Sequence, residues 1–207
     1  MSPVKSVVIA AVCAALGIAL PMAFHAIPGA GNVWLPMHIP VMICGLVAGA
    51  APGAAAGILA PVLSSLLTGM PAAPILPSMT CELLVYGLVS GLLGARVRTG
   101  RLPLDLYVSL VGAMVCGRVV GGVLQALIFS AGSYSLAAWA TGYLVTGLPG
   151  IVLQLVVVVP VVVALERAGL VPARPPPRPP PLGLWAFREA RRRGWSHAPL
   201  LSGAFGR

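Results

Sequence analysis

The 207 residues are 58% hydrophobic and only 8% charged, against roughly 25% charged in ordinary soluble domains. A soluble domain of this length needs a charged and polar surface that the composition does not supply. The 13 Lys and Arg against 4 Asp and Glu would suit a nucleic-acid-binding domain, but the 76 residues between Lys5 and Glu82 carry no charge. Such a stretch, rich in Ala, Gly, Leu and Val, belongs in lipid. The fold class expected is all-α, a polytopic membrane protein. Continuous apolar runs, rather than alternating ones, argue against a β-barrel.

Six apolar runs are long enough for spanning helices: 4–21, 37–51, 53–68, 78–95, 104–129 and 149–165. The first could be read as a signal peptide, with Lys5 ahead of the apolar stretch, but further spans follow it rather than a soluble domain, which favours a first span. The second and third are short and meet at Ala50-Ala51-Pro52-Gly53, a turn signal. One kinked helix over 37–68 is the alternative.

Positive charge sets the orientation. With both termini cytoplasmic, the inner segments hold Lys5, Arg96, Arg98, Arg101, Arg167 and all seven tail arginines. The outer segments 22–36, 69–77 and 130–148 contain no Lys or Arg. The remaining basic residue, Arg118, lies inside the fifth span. The first two outer segments are apolar and proline-rich, which suggests either lids over the bundle or loops that dip into the interface with Trp34 as a belt residue. Residues 1–170 therefore read as a membrane domain. The tail 171–207 opens with a Pro/Arg-rich stretch that cannot be helical, and its basic segment 187–193 suits contact with anionic lipid.

Gly45, Gly49, Gly53 and Gly57 recur every four residues, and Gly87/Gly91 and Gly117/Gly121 repeat the spacing, which permits close helix approach in lipid. Ala11, Ala15 and Ala19 form a similar stripe on the first span, widened by Ala10 and Ala14. For the glycines the expected partner is another helix of the same chain; for the alanines, docking to another protein competes with that. Cys13, Cys44, Cys81 and Cys116 each fall within an apolar run with no CxxC pair, and read as small buried hydrophobes.

Ionisable groups within a bilayer are costly and mark candidate sites. Glu82 lies about one turn into the fourth span, with Tyr86 a turn further in. Arg118 lies near the middle of the fifth, and Gln125, seven residues on, shares its face. Gln154 is about six residues into the sixth span. Together with Asn32, Trp34 and His38 from the lid region, they make a polar ring in the outer half of the membrane, suited to a small polar molecule. The competing reading is that Glu82 or Gln125 pairs with Arg118 to hold helices together. Met22, His25, Met37 and His38 are possible soft ligands, but there is no His-xxx-His pair or acidic cluster, so neither metal nor another cofactor is expected. Nor is there an enzyme signature or a Walker motif.

The chain resembles the substrate-binding S component of an energy-coupling factor (ECF) transporter. The resemblance covers 1–170 and rests on Ala11-xxx-Ala15, on the outer loop Phe24-His25-Ala26-Ile27-Pro28-Gly29-Ala30-Gly31 followed by Leu35-Pro36-Met37-His38-Ile39-Pro40, on Leu63-Ser64-Ser65-Leu66-Leu67-Thr68-Gly69-Met70-Pro71, and on Glu82-Leu83-Leu84-Val85-Tyr86-Gly87. It implies capture of a vitamin or related micronutrient near the outer face of a prokaryotic plasma membrane. The implied partners are a membrane coupling protein, met through Ala11 and Ala15, and two ATPase subunits. The matched pocket would use Glu82, Tyr86, Arg118, Gln125 and Gln154, with Asn32, Trp34 and His38. Met37-His38-Ile39 also resembles cobalt and nickel uptake components. Those carry Met-His at the extreme N-terminus, and here it is internal, which counts against a metal cargo. A non-transport membrane subunit held by its glycine faces is the third reading.

Overall fold

The computed structural model describes residues 1–24, 30–126, 137, 139 and 141–171. The described residues form helices: α1 (Pro3–Phe24), α2 (Ala30–Trp34), α3 (His38–Ala48), α4 (Ala50–Thr68), α5 (Leu76–Arg96), α6 (Leu102–Leu124) and α7 (Leu148–Arg167), with a π-helical turn, Thr141–Thr146, before the last. Helix starts follow proline: α5, α6 and α7 each carry one at the first or second position, where its missing N–H costs no intrahelical bond. Gly69, with φ 73°, ends α4 in the left-handed conformation that glycine tolerates best. The proline-arginine tail and His25 lie outside the described residues.

Five helices, α1, α4, α5, α6 and α7, are long and apolar enough to cross a membrane. The expected second span is different. Its helix α3 has 11 residues, roughly 16 Å of rise against a hydrocarbon core of about 30 Å. It can be short because it is sunk within the bundle. His38, its first residue, lies beside Glu82, which is six residues into α5. Its far end, Gly49, lies against Gly91, five residues short of the end of α5. Helix α3 is buried along most of its length, so its neighbours rather than lipid surround it.

The turn between α3 and α4 falls at Gly49, not at Pro52-Gly53. Gly49 has φ 103°, a backbone angle that costs an L-residue dearly, whereas Pro52 sits in the first turn of α4, where proline is tolerated. The four-residue glycine spacing is therefore divided between two helices and the turn joining them. The glycines still serve close approach, and within the chain. A Cβ on Gly53 would run into the Gly87 carbonyl, one on Gly87 into the Gly53 carbonyl, one on Gly57 into Leu83, and one on Gly45 into Ser90 and Gly87. These positions bring α3 and α4 backbone-to-backbone against α5.

Helix α5 is central, packed on α3, α4 and α6, while α7 packs on α2, α3 and α6. The core runs through Met42, Leu83, Tyr86, Leu106, Leu110 and Val158. A smaller cluster joins α1, α3 and α4 through Cys13, Cys44 and Ala56. The cysteines are free thiols, but not uniformly buried: Cys13 and Cys44 are buried, Cys81 is half-buried and Cys116 is exposed.

On α1, Cys13, Ala14 and Gly17 face inward, and Gly17 meets Ala60 of α4. Ala11, Ala15 and Ala19 are exposed. Ala14 thus belongs to the packed side of the helix rather than to the alanine stripe.

The loop after α4 is not a packed lid. Met70 and residues 72–75 are exposed, and the loop is tethered by hydroxyls. Ser64 Oγ donates to the Met70 carbonyl at 2.7 Å, and Ser65 Oγ donates to the Pro71 carbonyl at 2.9 Å. At the opposite end of α5, Asp105 accepts hydrogen bonds from the Thr99 backbone N–H at 2.7 Å and from its hydroxyl at 2.6 Å. These bonds close the turn into α6.

Candidate substrate chamber

Helix length sets the depth of the polar groups. Glu82 is six residues from the start of α5, Arg118 six from the end of α6, and Gln154 six from the start of α7, each about 9 Å in. Arg118 is therefore not central in its helix. The α-helical assignment of α6 stops at Leu124, and Arg118 shares a cavity with Glu82. All three side chains are buried: Glu82 is 7% exposed, Arg118 6% and Gln154 0%.

Glu82, Arg118 and His38 line one cavity of about 270 Å³. Its wall includes Leu35 and Gly31 from the α2 region, Ser78 and Met79 from α5, and Thr146 and Gly147 ahead of α7. Tyr86 lies beneath. Its hydroxyl donates to Glu82 Oε1 at 2.9 Å, and its ring meets the His38 ring edge-on at 5.2 Å between centroids. His38 Nε2 is 3.9 Å from the same carboxylate oxygen. Gly117 makes room for the Tyr86 ring, since a Cβ there would press on it. The carboxylate is thus held by a phenol, with the imidazole that packs on that phenol ring close by.

The other expected residues are placed differently. Gln154 lies on the buried face of α7 with Gly150 and Val158 and is not among the residues that line the cavity. Both atoms of its amide lack a hydrogen-bond partner, a state that costs on the order of 1–3 kcal/mol per group. Gln125 caps the end of α6, half-buried and outside the lining. Trp34 is 40% exposed on α2, where its carbonyl meets Gly150 of α7. Asn32 belongs to α2, and its side chain is outside the described residues.

Several contributors were not anticipated. Ser78, Thr146 and Gly147 line the cavity near helix starts, and the Leu-Pro pairs at 76–77 and 148–149 are the sequence signal that marks those starts. Leu35 lines the cavity with φ 49°, an uncommon conformation for a branched side chain. Trp139 Nε1 donates to the Arg118 carbonyl at 3.2 Å and packs on Gly122, so it braces the turn of α6 that carries the arginine. No group of three His, Cys, Asp or Glu able to hold a metal occurs among the described residues.

Replacing Tyr86 with Phe is expected to remove the hydroxyl bond to Glu82 while keeping the ring. A destabilisation of about 1–3 kcal/mol follows from leaving a buried acceptor short of a partner, read as a lower melting temperature of the purified protein. An unchanged melting temperature would show that the Tyr86–Glu82 bond adds nothing to stability.

The fold and the chamber define an all-helical, multi-pass membrane protein built around a small polar compartment. A family model described as the substrate-specific component of ECF transporters matches residues 5–162, and the chain belongs to that family. Its members are substrate-specific subunits of transporters rather than enzymes. No curated relative and no solved structure matches the chain.

Proposed function

We propose that the protein captures a small polar solute, a vitamin or related micronutrient, in the chamber formed by Glu82, Arg118 and His38. It would deliver that solute across a prokaryotic plasma membrane with a membrane coupling protein and two ATPase subunits. The observation that carries this reading is the meeting of opposite charges on the walls of one cavity of about 270 Å³ within a bundle otherwise made of apolar helices. Tyr86 supports the chamber from below. Gln154, Gln125, Asn32 and Trp34, none of which lines the cavity, are carried forward as further candidate contacts for the solute.

In the proposed topology the chain crosses the membrane six times, α3 making its crossing as a short buried helix. Both termini are cytoplasmic, and the tail 171–207 lies along anionic lipid. The chamber then opens to the outside. A cobalt or nickel cargo is the weaker reading, since His38 stands with one carboxylate rather than a set of ligands.

Native mass spectrometry of the detergent-purified protein tests the capture role. The wild type is expected to retain a small organic molecule, and Glu82→Ala to lose it, with affinity lowered at least about 100-fold, the range for truncating one member of a buried charged contact. Equal retention by wild type and Glu82→Ala would remove this chamber as the site.

A further inference from the structure

Three helices begin at the chamber. His38 is the first residue of α3, Ile75 is the N-cap of α5, and Gly147 is the N-cap of α7, and all three line the cavity. None of these helix starts is closed by a side-chain cap. Each helix N-terminus carries the equivalent of about half a positive charge, from N–H groups that have no intrahelical acceptor. The effect is largest where water is excluded. Arg118 adds a full positive charge, and Glu82 subtracts one. Arg118 and the helix starts together set more positive than negative character against the single carboxylate of Glu82, although the His38 and Leu76 N–H groups are already engaged by the Leu35 and Ala72 carbonyls.

A second observation points to a ligand independently of the dipoles. His38 lines the cavity and is 2% exposed, yet among the described residues its Nδ1 meets no hydrogen-bond partner in good geometry, the nearest backbone group being that of Leu35. A buried imidazole nitrogen in that state calls for a polar atom to meet it. The volume bounds the size of the visitor. At roughly 30 Å³ per water the cavity equals about nine waters, which suits a solute on the order of ten heavy atoms rather than a dinucleotide or a peptide.

We propose that the captured solute is a small organic anion whose oxyanion group sits against Arg118 and the starts of α3, α5 and α7, and which also carries an N–H or O–H donor for Glu82 or His38. The inference rests on the capture role proposed above and narrows its cargo. A carboxylate has about four acceptor positions, of which Tyr86 uses one, and a guanidinium offers five donors. Each wall can therefore serve a ligand as well as its neighbours. A fork of donors on a planar oxyanion is the geometry arginine fits best.

The experiment uses the full chain in detergent, incubated with four sets of solutes of about ten heavy atoms: N-acyl amino acids, aryl phosphate monoesters, primary amines and neutral amides. Retention after gel filtration is read by mass spectrometry. Retained solutes are expected to come from the first two sets, and methyl esters of the retained acids are expected to be lost. Retention of carboxylates alone, or of phosphates alone, supports the proposal and identifies the head group. Arg118→Gln is expected to lower affinity for the retained anion at least about 100-fold, and Arg118→Lys, which keeps the charge but not the fork, by less. Selective retention of amines or neutral amides, or esters held as well as acids, overturns the anion class while the capture role stands. Retention of nothing by the wild type overturns both.

Discussion

Gly87→Leu is expected to abolish the folded monomer. In the native packing a Cβ at Gly87 would collide with the carbonyl of Gly53, and a Cβ at Gly53 would collide with the carbonyl of Gly87. The obstacle in each direction is backbone, which has no rotamer to yield. Overpacking a core commonly costs about 1–3 kcal/mol and more when nothing can shift, and here α4 and α5 would have to separate along their shared face. Size-exclusion profiles of the detergent-solubilised protein should show the monomer peak replaced by aggregate. The contrast is Gly69→Ala. That glycine has open space around it and φ 73°, so the change costs only the conformational strain, on the order of 1 kcal/mol, and the monomer peak should persist. A monodisperse Gly87→Leu protein would mean that α4 and α5 do not approach as closely as the structure places them.

A second large effect is expected on α1. Ala11 and Ala15 are exposed, so tryptophan at both positions points away from the packed side of α1 among the described residues and should leave folding and solute retention intact. Proposed as the contact face for the coupling protein, the same positions should tolerate nothing large once the partner is present, because small residues are what let two helix backbones approach in a bilayer. Co-expression with the coupling protein and affinity capture should recover a complex with the wild type and at most about a tenth as much with Ala11→Trp/Ala15→Trp, a loss of about 1.4 kcal/mol or more. Equal recovery would place the contact elsewhere. Reduced solute retention would point to a packing role for the stripe.

How much of this was readable in the sequence depends on what each signal measures. Apolar run length found the long helices because lipid imposes it directly. It did not show that α3 would be only 11 residues long and enclosed, since burial among neighbouring helices and burial in lipid select the same side chains. Pro52-Gly53 drew the turn away from Gly49 for a related reason. Both dipeptide and single glycine permit a break, and the tertiary contacts of Gly53 with Gly87 decide which one bends.

For the chamber, costly residues were the useful signal. Glu82, Arg118 and His38 stood out as polar groups in an apolar setting, and the structure brings those three to one cavity. Gln154 drew attention for the same reason and is buried on α7 outside the cavity lining; periodicity gives depth along a helix and not which wall a side chain joins. Ser78 and Gly147 were not distinguishable. A serine and a glycine at the start of a helix are ordinary capping residues until the fold shows what the helix start faces.

The convergence of α3, α5 and α7 has a practical consequence. A peptide dipole has no side chain to delete and no proton to lose. The share of the chamber's field that comes from these helix starts is therefore invisible to alanine scanning and indifferent to pH. Mutational maps of the site will credit Arg118 with nearly all of the attraction, and a solute that remains bound weakly after its loss would be reporting the backbone.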